Sequence, residues 1–180
     1  DGYIYYTGAF TNKIGQMNTS GTTLKECSTS TGPKGVAWGP DNNLYVATWS
    51  GKIDKINPAT CATIASYSYS IPASGISMAV DIVTGPDGNL WITAASANNN
   101  LMAKMTTSGV FTTYTTPATG TYPQGLTAGP DGNIWFVEYG KGKIGKLVPA
   151  TGAITEYGPI NGMISTTLQY GPTASDDGMM

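Results

Sequence analysis

Residues Pro123–Tyr157 read PQGLTAGPDGNIWFVEYGKGKIGKLVPATGAITEY, and this stretch decides the fold. Four short apolar runs alternate with turn chemistry. Leu126–Ala128 leads into Gly129-Pro130-Asp131-Gly132-Asn133, where proline presets φ and Gly132 accepts a positive φ. Ile134–Glu138 follows, β-branched and aromatic, and ends at Tyr139-Gly140-Lys141-Gly142. Lys143–Val148 comes next, then the turn Pro149-Ala150-Thr151-Gly152, and Ala153–Tyr157 closes the unit. Four strands and three turns within about 35 residues make one small antiparallel sheet of meander connectivity.

The unit recurs along the chain. Asp-Gly or Asp-Asn turns begin at Asp1, Asp41, Asp87, Asp131 and Asp177, a spacing of 40 to 46 residues, and Gly-Pro precedes three of them at 39, 85 and 129. The same aromatic strand follows each turn: Tyr3-Ile4-Tyr5-Tyr6, Leu44-Tyr45-Val46, Leu90-Trp91-Ile92 and Ile134-Trp135-Phe136. The third strand recurs as Lys13–Met17, Lys52–Ile56, Leu101–Met105 and Lys143–Leu147. A period of roughly 40–50 residues with four strands per repeat is the signature of a β-propeller blade. One such sheet buries both of its faces only by stacking on neighbours. No segment keeps a 3.6 period, so almost no helix is expected.

The expected fold is all-β: one propeller domain over 1–180, about four blades of four antiparallel strands, with repeats starting near 1, 41, 87 and 131. The chain begins on a turn with no innermost strand before it. Residues 169–176 align with Pro123–Gly129 and read as a spare innermost strand. Three readings follow, of which the first is favoured: part of a longer chain, two chains sharing a ring, or closure alone. Strand sharing removes an exposed edge and would let copies associate.

Composition narrows the function classes. Only 11% of residues are charged, the net charge is −2, and there is no histidine. No basic cluster exists to neutralise a nucleic-acid backbone, and no apolar run approaches the ~20 residues of a membrane span. A surface of Ser, Thr, Asn and Gly fits a secreted β protein. Asn18-Thr19-Ser20 is a glycosylation sequon on an exposed hairpin turn. Aligning the repeats puts Cys27 at the end of an outer strand and Cys61 in the turn before the next one. Those are opposite ends of a strand, which favours two separate thiols over a disulfide, although neighbouring blades would bring the two outer edges together.

The pattern Pro-x-Gly-Leu-x-x-Gly-Pro-Asp-Gly-Asn-Ile-Trp-Phe-x-Glu, then Lys-Ile-Gly-Lys-Leu-x-Pro-x-Thr-Gly-x-Ile-Thr-Glu-Tyr, closely resembles the repeats of the streptogramin B (virginiamycin B) lyase family. Residues 123–157 are the best copy and 84–114 the second. The resemblance implies a seven-bladed ring, and a lyase that opens a cyclic depsipeptide at its ester by elimination with Mg²⁺ and a histidine base. Without any histidine, that base has no counterpart here.

A site is expected where links between second and third strands, and links between blades, converge at one end of the channel. Those links carry Lys34, Trp49, Met78, Gln124, Glu138, Tyr139 and Tyr170 as ligand-binding candidates. Glu138 reads most plainly as a solvated strand-end carboxylate paired with Lys141 or Lys143. Asp81, on an innermost strand, is a candidate metal ligand through hard oxygen, with hydrogen bonding to neighbouring amides the plainer reading. Trp91 and Trp135 read as packing between blades, whereas Trp49 sits in a link and suits ligand stacking. Asp41, Asp87 and Asp131 read as caps of tight turns. Three functions compete: a secreted, non-catalytic propeller binding a small molecule, glycan or peptide; a Mg-dependent carbon–oxygen lyase whose histidine lies in other sequence; and an assembly protein joined by strand donation.

Overall fold

The computed structural model describes residues 2–69, 78–95, 100–160 and 172–173. Among them the chain forms four consecutive antiparallel sheets and no helix. Blade one holds β1 (Ile4–Gly8), β2 (Lys13–Met17) and β3 (Thr23–Ser28); blade two holds β4 (Pro33–Trp38), β5 (Leu44–Thr48), β6 (Lys52–Ile56) and β7 (Thr63–Ser68). Blade three holds β8 (Met78–Thr84), β9 (Leu90–Ala95), β10 (Leu101–Met105) and β11 (Phe111–Thr115). Blade four holds β12 (Pro123–Ala128), β13 (Ile134–Glu138), β14 (Lys143–Leu147) and β15 (Ile154–Tyr157). This is the meander expected from the repeat, in a partial β-propeller. Blade one has three strands among the described residues, not four. The spare strand at 169–176, with Tyr170, lies outside the described residues apart from 172–173.

Strand alternation builds the seams between blades. On β9, Leu90, Ile92 and Ala94 join Tyr45, Ala47 and Ile53 of blade two in one core. Trp91, on the opposite face, joins Leu126, Ile134, Phe136 and Leu147 of blade four in the next. Ile14 and Cys27 meet Leu44, Val46 and Ile56 in the first seam. Successive side chains of a strand point to opposite faces, so β5 and β9 each serve two seams. Trp91 is therefore packing between blades, as its spacing predicts. Trp135 is half-buried and stacks on Tyr157 of its own blade, rings 5.6 Å apart and 22° from parallel.

The recurrent turns carry a second clasp beyond the backbone cap. Trp91 Nε1 donates to Asp87 Oδ1 at 3.0 Å, Trp135 Nε1 to Asp131 Oδ1 at 2.9 Å, and Tyr45 Oη to Asp41 Oδ2 at 2.9 Å. The same carboxylates accept the main-chain amides of Asn89 and Asn133. Each aspartate thus ties its turn to the strand that follows.

The expectation of two separate thiols is overturned. Cys27 and Cys61 form a disulfide, their Cα atoms 5.0 Å apart. Each cysteine holds the place in its own blade that the repeat predicts, Cys27 in β3 and Cys61 in the β6–β7 turn, and the rotation between blades brings the two together. That rotation lays the end of one outer strand against the outer turn of the next blade. Asn18 sits on the β2–β3 turn as expected; its Oδ1 accepts the amide of Thr22 at 2.8 Å and the Ser20 hydroxyl at 2.7 Å.

A buried carboxyl at the channel end

In blades two and four the link that follows the second strand is bonded to the link that enters the innermost strand of the same blade. In blade two the amide of Trp49, just after β5, donates to Gly32 O at 2.9 Å; in blade four the amide of Tyr139, just after β13, donates to Tyr122 O at 3.2 Å. Trp49 is thus no exception to the repeat: it and Tyr139 hold the same position in their blades. Lys34 and Gln124 are likewise equivalent, each directly after the proline that opens the innermost strand. Lys34 Nζ stands 4.5 Å above the Trp49 ring. Gln124 is half-buried beside Pro123, the residue opposite Glu138 in the ladder. Met78 opens β8 opposite Ala95.

Glu138 departs from its plainer reading. It is 0% exposed, and neither carboxyl oxygen has a hydrogen-bond partner. Lys143 lies opposite it on β14, but the ammonium is spent on Glu156 Oε2 at 2.7 Å. The other oxygen of Glu156 takes the amide of Ala118 at 3.1 Å, in the link between blades three and four. Burial pushes the Glu138 carboxyl up to about 7, the negative charge of Glu156 adds to this, and Lys143 offsets part of it. Glu156 is held below the usual range: burial raises it, but the bonds from Lys143 and the Ala118 amide outweigh that.

The surroundings are polar as well as buried. Glu138 shares the face of β13 that carries Ile134 and Phe136 into the seam with blade three. Thr93 shares the face of β9 that carries Trp91 into the same seam, and its hydroxyl is also buried without a partner. Thr116 and Thr121, both buried, bond each other through their hydroxyls at 2.8 Å at this end. Sequence reading missed Thr93 and Glu156. The only available signal was the Glu of Ile-Thr-Glu-Tyr, which reads as an outward-facing residue of an outer strand.

Asp81 is engaged by the backbone: its Oδ1 accepts the amide of Ile82 at 2.9 Å and its Oδ2 that of Leu126 at 3.2 Å, tying β8 to β12. Among the described residues no three acidic, histidine or cysteine side chains gather to hold a metal ion. Near Glu138 the second carboxylate is already neutralised by Lys143, so the donor set here does not fit a resident Mg²⁺.

Four consecutive antiparallel sheets packed face to face through shared seams define the class, a partial β-propeller. Within that class, the virginiamycin B lyase family model matches residues 1–164, and the chain belongs to that family. Its fold matches a catalytically inactive histidine-to-alanine variant of virginiamycin B lyase from Staphylococcus aureus with quinupristin, at 29% identity and TM-score 0.74, over 87% of this chain and 52% of that one. A streptogramin B lyase structure matches at 31% identity and TM-score 0.74, over 89% of this chain and 52% of that one. Hydrazine synthase from Kuenenia stuttgartiensis, at 14% identity and TM-score 0.71, over 86% of this chain and 45% of that one, shares the fold alone. The chain spans about half the length of the solved lyases it matches. No curated protein sequence matches it.

Proposed function

We propose that the protein is a secreted, non-catalytic member of this family that binds a small molecule, glycan or peptide at the channel end of its blades. The observation that carries this reading is Glu138, a fully buried carboxyl with no partner at the last residue of β13. A buried polar group left unpaired costs about 1–3 kcal/mol, and such uncompensated groups gather at functional sites. A ligand donor reaching this seam would recover that cost. The disulfide supports an extracytoplasmic location, since such bonds persist in oxidising compartments. These 180 residues hold no histidine, so they do not themselves supply a counterpart of the one whose replacement left the solved lyase inactive.

Quinupristin, the compound present with that relative, is the probe. Calorimetric titration should show saturable binding that weakens in Glu138→Gln, with the depsipeptide ring intact by chromatography. Absence of saturable binding, or binding indifferent to Glu138, would count against the reading. A second reading, carbon–oxygen lyase activity on a cyclic depsipeptide, is favoured by family membership; recovery of the ring-opened isomer from the same incubation would establish it.

A further inference from the structure

Blades one and two expose a second cluster at the same end of the molecule. Phe10, in the β1–β2 link, is 92% exposed, and Trp49 is 39% exposed. Their rings meet edge to face, centroids 6.5 Å apart at 85°. The large exposed apolar area is not a loose loop. Asn12 Oδ1 accepts the amide of Gly32 at 2.8 Å, Asn12 O accepts that of Thr29 at 2.9 Å, and Gly32 O accepts that of Trp49 at 2.9 Å. Thr7 Oγ1 donates to Lys34 O at 2.6 Å. The Phe10 link, the Gly32 link and the Trp49 link are therefore laced together before any ligand arrives. A Cβ on Gly32 would lie 3.0 Å from the Trp49 ring, so the indole is also held from that side.

The charge at this cluster is unspent. The ion pairs among the described residues use Lys13, Lys55 and Lys143, and Lys34 has only the Trp49 ring, at 4.5 Å. One ammonium beside two fixed aromatic rings is a recognition pattern: the rings take a flat apolar face, and the ammonium takes an anion. The chain has no arginine, and a single lysine offers one point charge, which suits a monoanion better than a phosphate dianion. We propose that Phe10, Trp49 and Lys34 form a binding site for a carboxylate carried beside a flat ring face, as in a uronic acid unit or an aromatic carboxylate. This rests on the reading of the channel end as the binding end, but uses a different seam from Glu138. Failure here leaves the Glu138 titration standing, and failure at Glu138 leaves this site standing.

The test is an NMR titration of the protein labelled at its tryptophan indole nitrogens, with glucuronate and benzoate as probes and glucose and benzamide as neutral counterparts. The Trp49 signal should shift saturably with glucuronate, benzoate or both, and not with the neutral compounds. Saturation by glucuronate alone identifies the sugar acid as the class, and by benzoate alone the aryl acid. Lys34→Gln should weaken binding about tenfold and Phe10→Ala severalfold, with the Trp91 signal unchanged as evidence of an intact fold. No saturable Trp49 shift with either acid, equal affinity for the neutral compounds, or unaltered binding in Lys34→Gln would overturn the proposal.

Discussion

Cys27 and Cys61 are bonded at the place where, between the following blades, a tyrosine ring lies on a turn glycine. A Cβ on Gly109 would overlap the ring of Tyr67, and one on Gly152 the ring of Tyr114. Tyr67 and Tyr114 occupy the register position of Cys27, opposite the second residue of their third strands. Cys61, Gly109 and Gly152 share a positive φ, at 61°, 88° and 72°. One packing contact, made by a ring on a glycine in two seams, has become covalent in the first.

The double variant Cys27→Ala/Cys61→Ala should therefore lose about 3–4 kcal/mol, the loop-closure value for a separation of 34 residues. Cys27→Tyr/Cys61→Gly should recover much of that loss, because it restores the contact used by the other seams and relieves a non-glycine residue at positive φ. Denaturant unfolding of the two variants, under oxidising conditions, checks the pair. Equal stability of the two would mean that the seams are not equivalent.

The Asp87–Trp91 clasp gives a second comparison. Asp87→Ala leaves a fully buried indole N–H without its acceptor and should cost about 1–3 kcal/mol. Asp131→Ala removes the same bond from the half-buried Trp135, where water replaces it, and should cost less than about 1 kcal/mol. Thermal unfolding of both variants distinguishes a buried clasp from a solvated one.

The repeat was legible because turn chemistry and strand alternation are local. Asp131-Gly132 and Ile134–Phe136 fix a hairpin wherever they occur, and Trp91 faces a neighbour because period two puts it there. What could not be read depends on the relation between blades. The disulfide needs the rotation that sets β3 against the β6–β7 turn. The burial of Glu138 needs Lys143 to turn away to Glu156, and the Ala118 link to close over that pair. Trp49 looked exceptional only because the repeat of blade two is degenerate; its hydrogen bond to Gly32 shows it to be the counterpart of Tyr139.

Stability should depend on pH in opposite senses on the two sides of its maximum. The Glu138 carboxyl is raised from 4.5 to about 7, so folding favours its protonated form. Its contribution is full below pH 4.5, falls as pH rises toward 7, and is level above that. Asp41 and Asp87 go the other way: burial raises them, but hydrogen bonds from Lys55 and Tyr45, and from Asn89 and Trp91, hold them below the usual range. Their contribution is present above the unfolded-chain value and is lost as acid protonates the folded form. In urea unfolding from pH 3 to 9, Glu138→Gln should abolish the decline above pH 4.5 and leave the acid limb unchanged.

Burial raises the Glu138 carboxyl to about 7, and the chain carries only three glutamates, at 26, 138 and 156. Carbon-13 labelling of the glutamate side-chain carboxyls therefore gives three resonances to follow by NMR as pH is raised. One resonance should titrate with a midpoint near 7 and be absent from Glu138→Gln. Three midpoints in the ordinary carboxylate range would contradict the account, because Glu138 would then be solvated or paired and the seam would hold no uncompensated group for a ligand to meet.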